Sequence, residues 1–456
     1  MPSATVAVIG GGISGLATAY QLQKQGISFV LLEKSNRLGG MIFTEEIDDF
    51  TIDAGPDSLL VQKPAAIELC TELGLQDQLV STLKPRTAYI VRDAKLHPIP
   101  QGTVFGIPTN LESLLATGYL STQAKIRMAE DLVIPPKLSQ SDESVASFFR
   151  RRFGNESVDY LAAPLLAGIH AGNVERLSIR ALFPSLVDAE TRHGSVIRGL
   201  RHRRPDSTSS ASTHGVFRSL TGGLRTLTDA LTKTLPSSAI NYDANVESIS
   251  GSGPFTISFS NRKHFSVGKV ICTTPAYVTA NIVRSLKPEL TNLLSSISHT
   301  SIAIVVTSYP RKAITHALNG TGFVVPETER GLSLAACTWI SSKWPSRSPS
   351  SHVLLRSFVG GARAPEALDQ SDDRLIESVQ HDLRKLLDIR VSPSLTRVYR
   401  WPQANPQPAV GHVELVGEID RLLNSYPGLL LIGSSLRGVG IPDCVAAGRS
   451  AASSIE

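Results

Sequence analysis

Paired cysteine motifs are absent from this sequence. Its four cysteines, Cys70, Cys272, Cys337 and Cys444, lie far apart, and no two have the C-x-x-C spacing. A zinc or iron–sulfur site built on cysteine is therefore not expected. Scattered thiols of this kind are typical of small buried side chains in a reducing compartment.

Long hydrophobic runs are absent as well. No stretch approaches the roughly 18 apolar residues of a membrane-spanning helix. The apolar residues Val6–Ile9 follow no charged segment and lead directly into glycines, so they lack the pattern of a secretory signal peptide. We expect a cytoplasmic protein, or one that lies peripherally on the cytoplasmic membrane.

The charge balance is only mildly basic. The 456 residues carry a net charge of +5, which is compatible with an anionic substrate or a membrane surface. No stripe of lysine and arginine interleaved with aromatic residues occurs, and this argues against a nucleic-acid partner. Hydrophobic residues make up 41% of the chain, as in folded proteins, and the length predicts two or three domains.

The first residues have the pattern of a βαβ unit. Thr5–Ile9 and Ile27–Glu33 are short apolar runs typical of buried strands. Between them, Ser14–Gly26 has the pattern of a helix that ends at a glycine.

The junction between the first strand and the helix carries a G-x-G-x-x-G motif made by Gly10, Gly12 and Gly15. These glycines allow a tight turn, close approach of a pyrophosphate and close packing of helix on strand. The helix N-terminus adds free N–H groups for the phosphates. Glu33 ends the second strand and can accept hydrogen bonds from both ribose hydroxyls. Together they predict a dinucleotide site rather than a glycine turn of an unrelated α/β protein.

Other glycine motifs indicate which dinucleotide binds. Arg37, Gly39 and Gly40 in EKSNRLGG resemble the glutathione-reductase-like FAD families, in which these residues lie beside the cofactor. No second G-x-G-x-x-G follows for NAD(P)H, and Gly251–Pro254 is interpreted as a turn. The electron acceptor is therefore expected to be oxygen or a quinone. Glycines before the last helix can direct its N-terminus at the flavin pyrimidine, where negative charge develops on reduction.

The middle of the chain is predicted to be mainly helical. Leu111–Leu120 and Ser121–Leu132 have apolar residues at helical spacing. A third helix is expected to begin at a cap on Ser141 or Asp142 and to end at Gly154.

Three later segments complete the organisation. Arg201–His214 is polar and rich in serine, which predicts a surface loop. Lys269–Pro275 is interpreted as a strand that leads into a turn and Leu429–Ile432 as a buried strand, and the terminal helix is predicted over Asp443–Ile455.

With these motifs in view, nearly the whole chain resembles the bacterial FAD-dependent protoporphyrinogen/coproporphyrinogen oxidases of the amine-oxidase-like flavoprotein superfamily. GGGISGLATAYQL and EKSNRLGG are shared across that superfamily, whereas LHPIP, AGIHAGN and GVGIPDC are more specific to the porphyrinogen oxidases. The chain departs from the family at Met41, at His170 and at Pro408, where an aromatic residue is usual. The departures concern substrate fit more than enzyme class.

The resemblance implies an α/β, multidomain fold. A Rossmann-type FAD-binding domain would be joined to a mixed-sheet substrate domain and to a mainly helical domain. The expected partition is FAD binding in 1–85, 215–275 and 401–456, substrate domain in 86–109 and 276–400, and helical, membrane-associated or lid-like structure in 110–214.

The same resemblance implies non-covalent FAD and a set of residues that hold it. At Val246, the backbone would meet the adenine. The full expected cofactor set is Gly10, Gly11, Gly12, Ile13, Ser14, Gly15, Glu33, Lys34, Arg37, Gly39, Gly40, Met41, Gly55, Pro56, Asp57, Ser58, Val246, Trp401, Val439, Gly440 and Ile441.

For the substrate, the resemblance implies a porphyrinogen that loses six electrons in three flavin cycles, with oxygen as the final acceptor. Arg86 would pair with a propionate, because guanidinium groups suit carboxylates. Val324 and Thr338 would enclose the macrocycle, Phe358 would stack on a pyrrole ring, and the backbone of Gly168 would lie against the substrate. No catalytic base is assigned.

Alternative functions and several properties stay open. A flavin amine oxidase or carotenoid desaturase shares the fold, although Gly433–Leu436 lacks the aromatic residue of an amine cage. A non-catalytic flavin- or porphyrin-binding protein is the alternative from another class. The preferred porphyrinogen, the physiological acceptor, a homodimer and a membrane contact are not determined by the sequence.

Overall fold

The structure is a computed structural model that describes residues 5–137, 139, 141–202 and 215–455. It confirms the predicted α/β class, with a five-stranded parallel sheet and a larger mixed sheet, each formed by segments that are distant in the sequence. The domain boundaries given above stay a prediction.

A five-stranded parallel sheet carries the glycine motif. Its strands, in spatial order, are Ile240–Asn241, Phe29–Leu32, Val6–Ile9, Lys269–Cys272 and Leu429–Leu431. These strands are mostly apolar because both faces of the sheet are covered, one by helices and the other by helices and a small antiparallel sheet. The first helix, Ile13–Lys24, packs on the last helix, Ile441–Ser453, so closely that a Cβ atom at Gly448 would lie 2.5 Å from the backbone oxygen of Ser14.

The predicted boundaries in this region are close to those observed. The first helix begins at Ile13, and Gly26 lies just beyond its end with a positive φ of 70°. The strand predicted over Lys269–Pro275 ends at Cys272, and the last helix begins at Ile441, two residues earlier than predicted.

The second sheet has seven strands. In spatial order they are Leu395–Pro406, His299–Pro310, His352–Gly360, Leu334–Trp339, Gly322–Val324, Ala88–Arg92 and Lys95–Pro98. One face packs against the helix Asp372–Leu387 through a shared hydrophobic cluster. The other face meets the hairpin formed by Thr44–Ile47 and Phe50–Asp53, which directly follows the glycine loops.

Smaller elements connect these parts. Two three-stranded sheets contain Val246–Ser250, Phe255–Phe259 and His264–Val267, and Leu59–Leu60, Phe217–Leu220 and Leu79–Ser81; a two-stranded ribbon contains Thr103–Val104 and Ile107–Pro108. The remaining α-helices outside the middle of the chain are Ala65–Glu72, Arg225–Thr234, Ala276–Ile282, Pro288–Ser296, Ile340–Lys343 and His412–Leu423.

The middle of the chain is helical, as predicted. Its helices are Leu111–Leu115, Thr122–Ala129, Val145–Phe153, Asn155–Ser157, Ala163–His170, Ile179–Leu182, Pro184–His193 and Val196–His202, with a π-helical stretch at Val158–Ala162. Arg152 and Asp131 form an ion pair at its centre with N–O separation 2.5 Å, and both side chains are fully buried. Removing one partner of such a pair would leave the other buried charge without a counter-charge.

Three details of the prediction for this region are wrong or fall outside the description. The first helix stops at Leu115 instead of continuing to Leu120. The cap of the third helix is Ser144, whose side chain accepts from Ser147 N; Asp142 instead accepts hydrogen bonds from Ser178 and from the backbone of Gly411. Of the predicted loop, residues 203–214 lie outside the described part, and the first two residues end a helix.

The four cysteines are all buried and unpaired. Burial raises the pKa of Cys70, Cys272 and Cys337 to about 12, and that of Cys444 to about 11. Within the described ranges, none of the helices combines the length and the apolar character that crossing a membrane requires.

Candidate active site

The glycine loop leaves the N-terminus of the first helix open to a ligand. A Cβ at Gly15 would lie 1.9 Å from the backbone oxygen of Gly10, so only glycine allows this contact between helix and strand. Gly12 caps the helix without a side-chain hydrogen bond, and a Cβ there would meet no atom within 4 Å. The first turn has no acidic residue. These features fit the pyrophosphate of a dinucleotide.

Glu33 is oriented towards this loop. One carboxylate oxygen accepts a hydrogen bond from the backbone N–H of Gly11 at 2.7 Å, and the other accepts from the N–H and hydroxyl of Ser35 at 2.9 and 2.7 Å. An ionised carboxylate can accept further bonds on each oxygen. The arrangement therefore fixes an acceptor beside the place where the ribose of a dinucleotide would lie.

Arg37 organises the second glycine loop. Its guanidinium donates to the backbone oxygen of Gly40 at 2.7 Å and lies over the ring of Phe43. Gly39 donates to the backbone oxygen of Gly11, and a Cβ at Gly40 would come within 3.1 Å of the neighbouring glycine loop. The two loops thus form one cradle, and Arg37 is engaged with it rather than free in solvent.

The segment from Gly55 to Ser58 continues the cradle. A Cβ at Gly55 would lie 1.8 Å from the backbone oxygen of Met41, so this approach also requires glycine. Asp57 accepts hydrogen bonds from Lys343 Nζ at 2.8 Å and from Trp344 Nε1 at 3.0 Å. Burial opposes ionisation of Asp57, but Lys343 and then Arg356 outweigh it, and the pKa of the carboxyl lies well below its ordinary value.

Other predicted cofactor residues surround the same region. Trp401 donates from its indole nitrogen to the backbone oxygen of Ala54 at 2.7 Å. Val246 is buried and begins a strand just after Ala244, whose N–H bonds to the backbone oxygen of Glu33. The last helix has Gly440 as its N-cap without a side-chain bond. Lys34 is exposed, and Pro56, Val439 and Ile441 lie next to residues named here.

On the seven-stranded sheet, the structure brings three predicted substrate residues together. Val324, Ala336 and Phe358 are aligned across adjacent strands, and Thr338 lies two residues further along the same face. Val324 and Thr338 are each the only described residue of their strand that is not buried, and Phe358 is the only such residue within the interior of its strand. They therefore border an accessible space in an otherwise closed sheet.

Gly168 and Arg86 are the remaining predicted substrate residues. Gly168 lies in the helix Ala163–His170, which packs on the strands of Val324 and Thr338. Arg86 lies just before the strand Ala88–Arg92 and donates from Nε to the hydroxyl and backbone oxygen of Thr82, at 2.9 and 3.2 Å. Arg218 is near enough that burial and the charge of Arg86 lower its pKa. The two guanidinium groups therefore lie close to each other, and Arg86 lies two residues before the strand that pairs with the strand of Val324.

Sequence reasoning missed two residues that hold the site together. Arg356 is 4% exposed and donates to the backbone oxygen of Gly55; the sequence signal was a charge inside the apolar strand HVLLRSFVG. Gln407 donates to the backbone oxygen of His170 at 2.9 Å and to Thr300 Oγ1 at 3.1 Å. No local pattern marked Gln407, because its partners are distant in the sequence.

The sequence is similar to a family of flavin-containing enzymes over almost its whole length. A model of the flavin-containing amine oxidoreductases matches residues 13–455. The chain is 36% identical to coproporphyrinogen III oxidase of Bacillus subtilis, over 98% of this chain and 97% of that protein. It is 31% identical to mitochondrial protoporphyrinogen oxidase of Nicotiana tabacum, over 98% and 94%.

Solved structures give the same fold. A protein of Exiguobacterium sp. 255-15, provisionally assigned as a protoporphyrinogen oxidase, superimposes with a TM-score of 0.87 and 32% identity, covering 100% of this chain and 99% of its own. Putrescine oxidase superimposes with a TM-score of 0.72 but only 15% identity, over 99% and 98%, which is a likeness of fold alone.

Proposed function

The chain belongs to the flavin-containing amine oxidoreductases, and we propose that within this family it uses FAD and oxygen to oxidise a porphyrinogen to a porphyrin. The observation that carries the proposal is the group formed by Val324, Thr338 and Phe358. Val324 and Thr338 are the accessible points of otherwise buried strands, and Phe358 is the accessible point in the interior of its strand. Together they offer a flat macrocycle an apolar surface with one aromatic ring.

When bound, FAD would supply the redox chemistry, as the acceptor of hydride from the substrate and the donor of electrons to oxygen. The protein would bind FAD and the substrate, orient them relative to each other and exclude water from between them. The glycine loops and Glu33 would hold the adenosine half of FAD, and the segment at Gly55 is joined through Arg356 to the sheet face where the substrate would lie. Because formation of the aromatic macrocycle provides driving force, correct placement can suffice without a catalytic base.

Coproporphyrinogen III is the proposed preferred substrate. Bacterial relatives at 36% and 32% identity carry that name, and Arg86, the residue proposed to pair with a carboxylate, lies close enough to Arg218 for the two charges to interact. A substrate with four carboxylates gains more from clustered guanidinium groups than protoporphyrinogen IX with two.

The test compares both porphyrinogens under identical conditions. Purified protein with FAD should consume oxygen and produce porphyrin fluorescence with both, and kcat/KM should be higher for coproporphyrinogen III. Putrescine and benzylamine serve as controls for amine oxidation, which the absence of an aromatic residue in Gly433–Leu436 argues against. A protein that binds FAD but oxidises neither porphyrinogen would support the non-catalytic alternative.

A peripheral membrane contact is also proposed for the helical section. The apolar run from Leu161 to Ile169 is not its basis, because Leu161 and Leu166 are buried in the helical core. Instead, large apolar side chains are exposed elsewhere in this section, by 66%, 62%, 61% and 79% at Leu111, Leu115, Ile126 and Val133. Leu111 and Leu115 lie one turn apart on the same helix and therefore adjoin on its surface, and a contiguous exposed apolar patch is typical of an interaction surface.

A further inference from the structure

Arg356 occupies an unusual place in the seven-stranded sheet. It lies two residues before Phe358 on the same strand, so both side chains leave the same face of the sheet. Its nearest neighbours across the sheet are Thr338 on one side and Val306 on the other. A charged side chain that is 4% exposed in such a position must be compensated by specific partners.

The partners of Arg356 join the two halves of the site. Its guanidinium donates to the backbone oxygen of Gly55, in the predicted cofactor segment. The same group lies over the ring of Phe358, 4.8 Å from the centroid, in a cation–π geometry. One side chain therefore holds both a proposed flavin-binding loop and a proposed substrate-binding ring.

The charges around Arg356 do not cancel. Asp53 pairs with Arg347 at 3.2 Å, whereas Asp57 is shared by Lys343 at 2.8 Å and Arg356 at 3.7 Å. Three cations and two anions leave a net charge of +1 in this buried group. Arg356 Nε–H is also buried without a hydrogen-bond partner in the described part of the chain.

We infer that Arg356 is a positioning residue that fixes the ring of Phe358 relative to the loop at Gly55, and that the net positive charge of the buried group to which Arg356 belongs favours the reduced, more negative flavin. The inference rests on the proposed function. A cation in a low-dielectric site stabilises negative charge far more than it would in water. The charge therefore raises the reduction potential of bound FAD, while the cation–π contact limits the motion of Phe358.

Two substitutions separate these effects. Arg356→Met removes the charge and keeps much of the length, whereas Arg356→Lys keeps the charge and loses the planar guanidinium. Arg363→Lys is the matched control, because Arg363 lies beyond the end of the same strand and donates to backbone oxygens of Val325, Leu332 and Leu334, away from Gly55.

The measurements use the FAD-loaded proteins. Arg356→Met should shift the midpoint potential of bound FAD to more negative values and slow anaerobic flavin reduction by coproporphyrinogen III by about tenfold, the loss that 1.4 kcal/mol in the transition state produces. Arg356→Lys should keep the potential and raise KM several-fold, with a smaller change in kcat. Arg363→Lys should have the wild-type midpoint potential and the wild-type KM.

Two results would overturn the inference. One is an Arg356→Met protein that retains FAD with the wild-type potential and reduction rate. The other, decisive also if the methionine variant does not fold, is an Arg356→Lys protein with wild-type KM. If the wild type itself oxidises no porphyrinogen, the proposed function fails, but the difference in flavin potential between wild type and Arg356→Met still tests the electrostatic part.

Discussion

The carboxylate of Glu33 lies 2.7 Å from the backbone nitrogen of Gly11 and accepts its hydrogen bond. This contact holds the carboxylate that follows the second strand close to the loop that precedes the first helix. Two residues separated by one helix thus lie together at the proposed adenosine end of the cofactor site.

The first prediction concerns this contact. Glu33→Ala removes the acceptor for Gly11 and for the ribose hydroxyls, and charge-assisted bonds of this kind are each worth about 1.5–3 kcal/mol. In a fluorescence titration of the FAD-free apoprotein, the Kd for FAD should rise at least about tenfold. Glu46→Ala, at an exposed carboxylate of the neighbouring hairpin, is the control. Equal FAD affinity of the two variants would remove Glu33 from the cofactor site.

Arg86 is predicted to orient the substrate through a carboxylate. Because this pair exists before and during hydride transfer, Arg86→Ala should raise KM by roughly tenfold with a smaller change in kcat. Arg86→Lys should recover part of the loss, because the fork geometry is not restored. Thr82→Val, which removes the hydroxyl partner of Arg86 Nε, should have a weaker effect on KM. The FAD content of all three variants should equal that of the wild type. If Arg86→Ala leaves KM unchanged for both porphyrinogens, the substrate carboxylate is bound by residues other than Arg86.

His170 makes stability depend on pH. Burial, and then the charge of Lys63, lower its pKa from 6.5 to about 4. The unfolded chain therefore binds more protons than the native protein between these values, and native stability falls as the pH drops from 6.5 towards 4. The contribution is about 3 kcal/mol when the full interval is crossed. Melting temperatures measured across this range should fall less steeply for His170→Tyr, and parallel curves would contradict the assignment.

The exposed apolar side chains of the helical section predict membrane binding. In flotation with vesicles of phosphatidylglycerol and phosphatidylcholine, part of the wild-type protein should float. A variant with serine at Leu111 and Leu115, which are 66% and 62% exposed, should remain at the bottom of the gradient. Val391→Ser, at an exposed apolar residue outside the helical section, is the control. Wild-type protein that stays entirely unbound would exclude the contact.

Local features of the fold were predictable because their signals are local. The glycine motif, the apolar runs of the parallel strands and the glycine at the end of the helix Val145–Phe153 each act within a few residues. The wrong cap was a choice among nearby polar residues: Ser144 makes the cap, and Asp142 is drawn instead to Ser178 and Gly411. Tertiary partners therefore overrode local preference.

The site was predictable only where resemblance supplied the roles. Val324, Thr338 and Phe358 come from separate strands, and no periodicity in the sequence shows that they share one face. Arg356 and Gln407 were missed for the same physical reason, since their contacts with Gly55 and His170 span hundreds of positions. Such contacts depend on sheet register, which the sequence specifies only through the whole fold.

The burial of all four cysteines has a consequence under the proposed function, in which oxygen accepts the electrons. Each two-electron transfer to oxygen forms hydrogen peroxide within the protein, and a thiol becomes reactive towards peroxide when it is ionised and accessible. With pKa values raised to about 11 or 12, these thiols stay protonated and shielded. We expect the enzyme to tolerate its own by-product: after many turnovers without catalase, mass spectrometry should find Cys70, Cys272, Cys337 and Cys444 unoxidised, and sulfinic or sulfonic acid at any of them would refute this protection.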